Sequence, residues 1–161
     1  MIWISFDGLD DIADPDRTSD GASVRLRRYL ERLYDTICSR QEIHVEHLRV
    51  EKVLSDRLGA VEERLCFYDG SLLEFDETVI VRGVVLIKTD YAYHYQQADG
   101  MLIFRYDNAP HHPEIPTHPD HIHIEGHVEA AESPDLSDVL RRIDGLLYPT
   151  SQQNGTPSEG T

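Results

Sequence analysis

Two Asp-Gly pairs, Asp69-Gly70 and Asp99-Gly100, each fall between runs of strand-like residues, and they limit the fold more than any other feature. Val61 to Tyr68 and Leu72 to Val81 flank the first, and Val84 to Gln97 and Met101 to Tyr106 flank the second. Asp-Gly between two such runs predicts a hairpin with a type I′ turn, since both central residues of that turn need positive φ. Two hairpins in succession describe an antiparallel meander. Upstream, Ile43/Val45 and Leu48/Val50 alternate with a phase slip between them, which predicts a bulge.

Helical patterns bracket this region. Leu26, Leu30, Leu33 and Ile37 form one apolar stripe over Ser23 to Cys38, with Ser23 as the expected N-cap. Arg25, Arg27, Arg28 and Arg32 lie mostly off the stripe and make this the one basic surface of the chain. Near the end, Ser133-Pro134-Asp135 reads as N-cap, first-turn proline and first-turn acid. Leu136, Val139, Leu140, Ile143 and Leu147 then repeat at helical spacing. The expectation is an α+β domain: an antiparallel β-meander of about five strands packed with an N-terminal and a C-terminal helix. It would occupy residues 21–149, after an acidic flexible lead-in (1–20) and before a disordered tail (150–161) without large apolar residues.

Charge narrows the setting. Asp and Glu number 30 against 15 basic residues, for a net charge of −15, and only Lys52 and Lys88 are lysines. Acid excess with scarce lysine suits a protein from molar intracellular salt, although an ordinary acidic protein is the plainer alternative. A net negative charge normally argues against nucleic-acid substrates, which are held by neutralising phosphates. In molar salt the screening length shrinks to about 3 Å and that argument lapses. No apolar run approaches the roughly 20 residues that cross a bilayer, and Met1-Ile2-Trp3-Ile4-Ser5 lacks a basic lead, so a cytoplasmic location without membrane contact is expected. Cys38 and Cys66 are expected as buried free thiols.

The chemistry is concentrated between Tyr91 and His127. Six of the nine histidines (His111, His112, His118, His121, His123, His127) lie there, among Pro110, Pro113, Pro116 and Pro119, which exclude a helix. His121-Ile122-His123-Ile124 reads as a short strand that places both histidines on one face and both isoleucines toward the core. A two-residue turn at Asp99-Gly100 puts His94 opposite Arg105 and Tyr93 opposite Tyr106. Tyr91, Tyr93 and Tyr95 then share a face with Phe104 and Tyr106, while His94, Arg105 and Asp107 share the other. Imidazole beside guanidinium suits a phosphodiester, with His moving protons and Arg meeting the charge that develops on phosphorus. Solvent-facing cross-strand polarity explains the same pair more simply. His-x-His is also a familiar metal spacing, so the histidines are readable as a zinc or other divalent site, against which no cysteine is near and the loop is stiffened by proline. Asn108, ahead of Ala109-Pro110, is readable as a strand cap that starts the turn.

The stretches Tyr93-His94-Tyr95-Gln96, Ala98-Asp99-Gly100, Ile103 to Glu114 (IFRYDNAPHHPE), Pro116-Thr117 and His121-x-His123 resemble the TumE-like family of toxin–antitoxin toxins. Leu65 to Phe75 and the Ser133-Pro134 opening of the last helix fit as well, so the resemblance spans roughly residues 43 to 145. It implies a small toxin whose cognate partner is a TumA-like antitoxin with a helix-turn-helix domain. Carried over by position, the motif residues are His94, Arg105, Tyr106, Asp107, Asn108, His111, His112, His121 and His123. The family pattern runs close to Phe-Pro-His-His-Lys-His where this chain has His118-Pro119-Asp120-His121-Ile122-His123. One histidine is replaced by Asp120 and the lysine by Ile122, which bears on activity if that lysine neutralises phosphate.

The leading expectation is a metal-independent, cofactor-free ribonuclease acting on single-stranded RNA. In it His94, Arg105, His121 and His123 are catalytic, and Tyr106, Asp107, Asn108, His111 and His112 are supporting or substrate-binding residues. A metallohydrolase or metal-binding protein using His111, His112, His121 and His123 is the second reading. A non-enzymatic module docking a partner through the arginines of the first helix is the third.

Overall fold

The computed structural model describes residues 21–40, 43–52 and 57–149, with backbone alone for 45–52. The elements run α1 (Gly21–Cys38), β1 (His44–Lys52), β2 (Leu58–Cys66), β3 (Leu72–Arg82), β4 (Val85–Gln96), β5 (Leu102–Asp107), β6 (His121–Ile124), β7 (His127–Ala130) and α2 (Leu136–Leu147). All seven strands form one antiparallel sheet in chain order. The α+β meander between two helices is as expected, with seven strands rather than about five. The expected lead-in and tail fall outside the described residues.

Alternation gives the sheet two unlike faces. Leu65, Leu73, Phe75, Tyr93, Tyr95, Phe104 and Ile122 point inward and pack with Leu33 and Ile37 of α1 and Leu136, Val139, Leu140 and Ile143 of α2 in one core. Each buried aliphatic side chain contributes roughly 1.5–3 kcal/mol of transfer free energy. Gly59 on β2 lets α1 close in, because a Cβ there would stand 2.8 Å from Leu26. The core also holds a polar knot. The hydroxyls of Tyr29 (α1) and Tyr93 (β4) both donate to buried Glu77 (β3). The Lys88 ammonium lies 3.6 Å from Glu77. It donates to the Tyr93 hydroxyl at 2.8 Å and to the carbonyl of Pro134 at 2.6 Å. This network joins α1, the sheet and the approach to α2. Burial pushes the Lys88 pKa down, with Glu77 opposing it, and pushes both tyrosines well above their ordinary value.

Several local expectations are corrected. α1 begins at Gly21, so Ser23 lies inside its first turn. The N-cap of α2 is Asp135, whose carboxylate accepts from the Asp138 amide in a capping box, rather than Ser133. Cys38 is exposed and Cys66 half-buried, both as free thiols. The bulge expected in β1 is present as anticipated, between Val45 and His47.

The Asp-Gly turns differ too. Only Gly70 (φ 83°) and Gly100 (φ 87°) take positive φ there; their aspartates do not. Gly100 N–H bonds to Gln97 O and Gln97 N–H to Met101 O, so Ala98-Asp99 centre the turn and Gly100 follows in the left-handed region. A glycine is needed there because a Cβ in that conformation is strained. The pair with both residues at positive φ is Glu125-Gly126 (50° and 82°), which joins β6 to β7. The longer loop starts the β4–β5 register one residue off, with Gln96 opposite Leu102, and a shift between Tyr95 and Gln96 restores it. His94 therefore faces Arg105, and Tyr93 faces Tyr106, as the two-residue turn would have placed them.

Candidate functional site

The outer face of the sheet carries His94 on β4, Arg105 and Asp107 on β5, and His121 and His123 on β6. Strand pairing sets Arg105 between His94 and His123, and Asp107 between Ala92 and His121. An outward-facing Asp and His would ordinarily be solvated, yet Asp107 is 2 % exposed and His121 1 %. The cause is the proline-rich connection between β5 and β6, which folds back over them. It is stabilised by the amides of Ile115 and His118 donating to the carbonyls of His112 and Ile115. The Thr117 hydroxyl donates to Asp120 O at 2.7 Å and accepts from the Ala131 amide at 3.1 Å.

That connection brings His111 and His112 onto the strand histidines. The rings of His111, His112, His121 and His123 form a cluster, with centroids from 4.3 Å (His111–His112) to 5.7 Å (His111–His123) apart. One nitrogen from each ring falls within 4.8 Å of the others. Asp107 lies at its base. One carboxylate oxygen is 3.3 Å from His121 Nε2 and the other 3.6 Å from His123 Nε2. Asp107 also accepts from Arg105 Nε at 2.9 Å and from the Ala109 amide at 3.0 Å. Arg105 is 43 % exposed, so its guanidinium is anchored by Asp107 while still open to a ligand.

Two of the rings have an assignable tautomer. His121 Nδ1 lies 2.8 Å from the Pro119 carbonyl, which can only accept, so Nδ1 carries the proton. His112 Nδ1 lies 3.0 Å from Glu114 Oε1. A backbone hydrogen bond and His112 hold the Glu114 carboxyl below its usual range, so it is ionised and accepts. With Nδ1 carrying the proton, the neutral form of either ring keeps its lone pair on Nε2, and His121 Nε2 sits 3.0 Å from His123 Nε2. Burial lowers the His123 pKa, the neighbouring imidazoles add to this, and Asp107 opposes it.

Arg105, Asp107, His111, His112, His121 and His123 are thus brought together. Tyr106 and Asn108 are not, and His94 stands on the far side of Arg105 from the cluster. Tyr106 turns to the helix side, against Phe104, with its hydroxyl 3.2 Å from Arg142. Asn108 ties strand ends, its side chain accepting from the Tyr91 amide and donating to Thr89 O, as the cap reading anticipated. His94 bonds Gln96 at 3.1 Å and borders an adjoining groove of about 690 Å³ that also takes in Arg105, Glu74 and Asp76. Ile122 is 3 % exposed in the core, on the face away from the histidines, while Asp120 accepts from the Tyr91 hydroxyl. Position 122 therefore falls on the opposite sheet face from the cluster. Glu114 is the participant that sequence reasoning passed over; its spacing of two from His112 was the available signal.

The family model described as "Toxin TumE" matches residues 30–147, a span that takes in every residue of this cluster. The chain belongs to the TumE toxin family, and so is the toxin component of a toxin–antitoxin pair with an antitoxin partner. Neither the curated proteins nor the solved structures gave a match. Among the described residues no helix is long and apolar enough to cross a membrane.

Proposed function

We propose that this toxin cleaves RNA in the cytoplasm at the Arg105–Asp107–histidine face, and that its partner is a helix-turn-helix antitoxin of the TumA-like kind. The observation that carries the reading is the half-exposed Arg105, fixed by Asp107 and flanked across the strands by His94 and His123. The arginine binds the phosphate and meets the charge that builds in the transition state. The substrate's 2′-OH attacks the adjacent phosphorus, and the bond to the 5′ oxygen breaks. The histidine cluster supplies the base that takes the 2′ proton, and His94, on the open side of Arg105, returns one to the leaving oxygen. The products are a 2′,3′-cyclic phosphate and a 5′-hydroxyl. Glu62, Glu74 and Asp76 in the adjoining groove repel a polyanion at low salt. Their effect fades at the molar salt that the composition suits, where screening acts within about 3 Å.

The test is induced expression in a salt-adapted host of the unmodified toxin, Arg105→Ala and His121→Ala at equal levels, followed by RNA end analysis. Arrest by the unmodified toxin alone, with cyclic-phosphate ends, is expected. Equal arrest by all three would sink the reading and move attention to the exposed arginines of α1.

A further inference from the structure

We propose that His111, His112, His121 and His123 bind one divalent transition-metal ion, which clasps the β5–β6 connection to the sheet. This rests on the geometry of the cluster and stands apart from RNA cleavage. It departs from the metal-free route that leads the sequence reading and takes up the four histidines of its second reading.

Three observations carry it. First, four imidazole nitrogens lie within 4.8 Å of one another. A tetrahedral ion with bonds of about 2.1 Å wants them about 3.4 Å apart, so rotations of the side chains by an ångström or so would close the site. Second, the outer partners that hold metal-binding imidazoles are already present. His121 Nδ1 is held by Pro119 O and His112 Nδ1 by Glu114, so both rings turn Nε2 into the cluster. Third, the interior of the cluster gathers atoms that can ligate a cation. His121 is buried, and in its neutral form the Nε2 lone pair faces an Asp107 oxygen at 3.3 Å and His123 Nε2 at 3.0 Å. A proton on His123 Nε2 satisfies one of these contacts, and a metal ion among the four rings satisfies them together. Hydrogen bonding inside the loop does not explain why four rings meet there.

Four imidazoles without a thiolate suit zinc, nickel, cobalt or copper(II) and do not suit magnesium or calcium, which take oxygen ligands. His111 is exposed, so the site opens to solvent on the side of the connection. Four imidazoles fill a tetrahedral shell, so the ion's part is structural and it holds no water for a reaction. The ion would also stabilise the fold, since two ligands come from the connection and two from β6.

Full-length protein stripped with EDTA and titrated with Co²⁺ and Zn²⁺ tests this. One equivalent per chain is expected, with the visible bands of nitrogen-ligated Co²⁺ and a rise of several degrees in Tm. His112→Ala and His121→Ala should abolish binding, Glu114→Gln should weaken it about 10- to 100-fold, and His94→Ala should bind as the unmodified chain does. Absence of stoichiometric binding to folded protein, or unchanged binding by folded His112→Ala, would overturn the inference. Metal binding without RNA cleavage would support the inference and sink the ribonuclease reading. Cleavage that persists in stripped protein that takes up no ion would do the reverse.

Discussion

Glu77 and Asp107 are both buried carboxylates in the same sheet, on opposite faces, and their surroundings differ in kind. Glu77 is saturated: two tyrosine hydroxyls and a lysine ammonium surround it, and the lysine in turn satisfies a backbone carbonyl. Asp107 accepts from Arg105 on one oxygen and from the Ala109 amide on the other, and toward β6 each oxygen also meets an imidazole Nε2. A closed polar network joins elements and leaves nothing for a ligand to add. One that ends on imidazole nitrogens beside an exposed guanidinium leaves room for a ligand to add. The contrast separates a structural centre from a functional one more sharply than residue type does.

The largest expected effect distinguishes the two centres. Glu77→Ala leaves Lys88 buried and unpaired and should cost about 3–5 kcal/mol in urea unfolding. Asp107→Asn should cost much less stability yet abolish growth arrest. A mutant Asp107 toxin that still arrests growth, or one that loses as much stability as Glu77→Ala, would break the contrast. Next, Glu77→Leu combined with Lys88→Met should recover most of what Glu77→Ala loses, because a buried ion pair is often replaceable by apolar packing. Failure to recover would mean the knot specifies the fold instead of merely filling it.

Glu63 sharpens the comparison from another side. It is 2 % exposed, and neither carboxylate oxygen has a hydrogen-bonding partner. Burial raises its pKa from 4.5 to about 8, with only a backbone contact at Arg64 opposing. Between those values the folded state holds a proton that the unfolded state has released, so stability falls as pH rises through the window. Glu63→Gln should therefore gain on the unmodified chain as pH goes from 5 to 9, by a few kcal/mol at the upper end. A gap that does not grow with pH would show that Glu63 is ionised at no cost. The smallest effect belongs to Asp135→Ala, which removes the cap of α2 and should cost about 1 kcal/mol in thermal unfolding without changing growth arrest.

Much of this molecule was legible in the residues. Alternation and apolar spacing depend on local geometry, so they located α1, α2 and the strands from β1 to β6 to within a few residues. They also assigned the tyrosines and Ile122 to the core face and His94, Arg105 and Asp107 to the other. β7 was missed because His127-Val128-Glu129-Ala130 carries one large apolar residue and its turn, Glu125-Gly126, is not a usual hairpin pair. The His94–Arg105 pairing was anticipated through a turn the chain does not use. It holds because a one-residue slip at the loop is cancelled by the register shift beside Gln96.

Composition and periodicity by themselves determined the class of fold, the two faces of the sheet and the segment that carries chemistry. Those properties depend on which residues alternate, and a sequence states that directly. Tertiary structure alone decided that the connection from Ala109 to Asp120 closes over β6 and not outward. It thereby decided that His111 and His112 join His121 and His123, while Tyr106 and Asn108 serve the fold. A loop's direction is set by hydrogen bonds such as that from Ala131 to Thr117, fourteen residues away, and no local pattern encodes them.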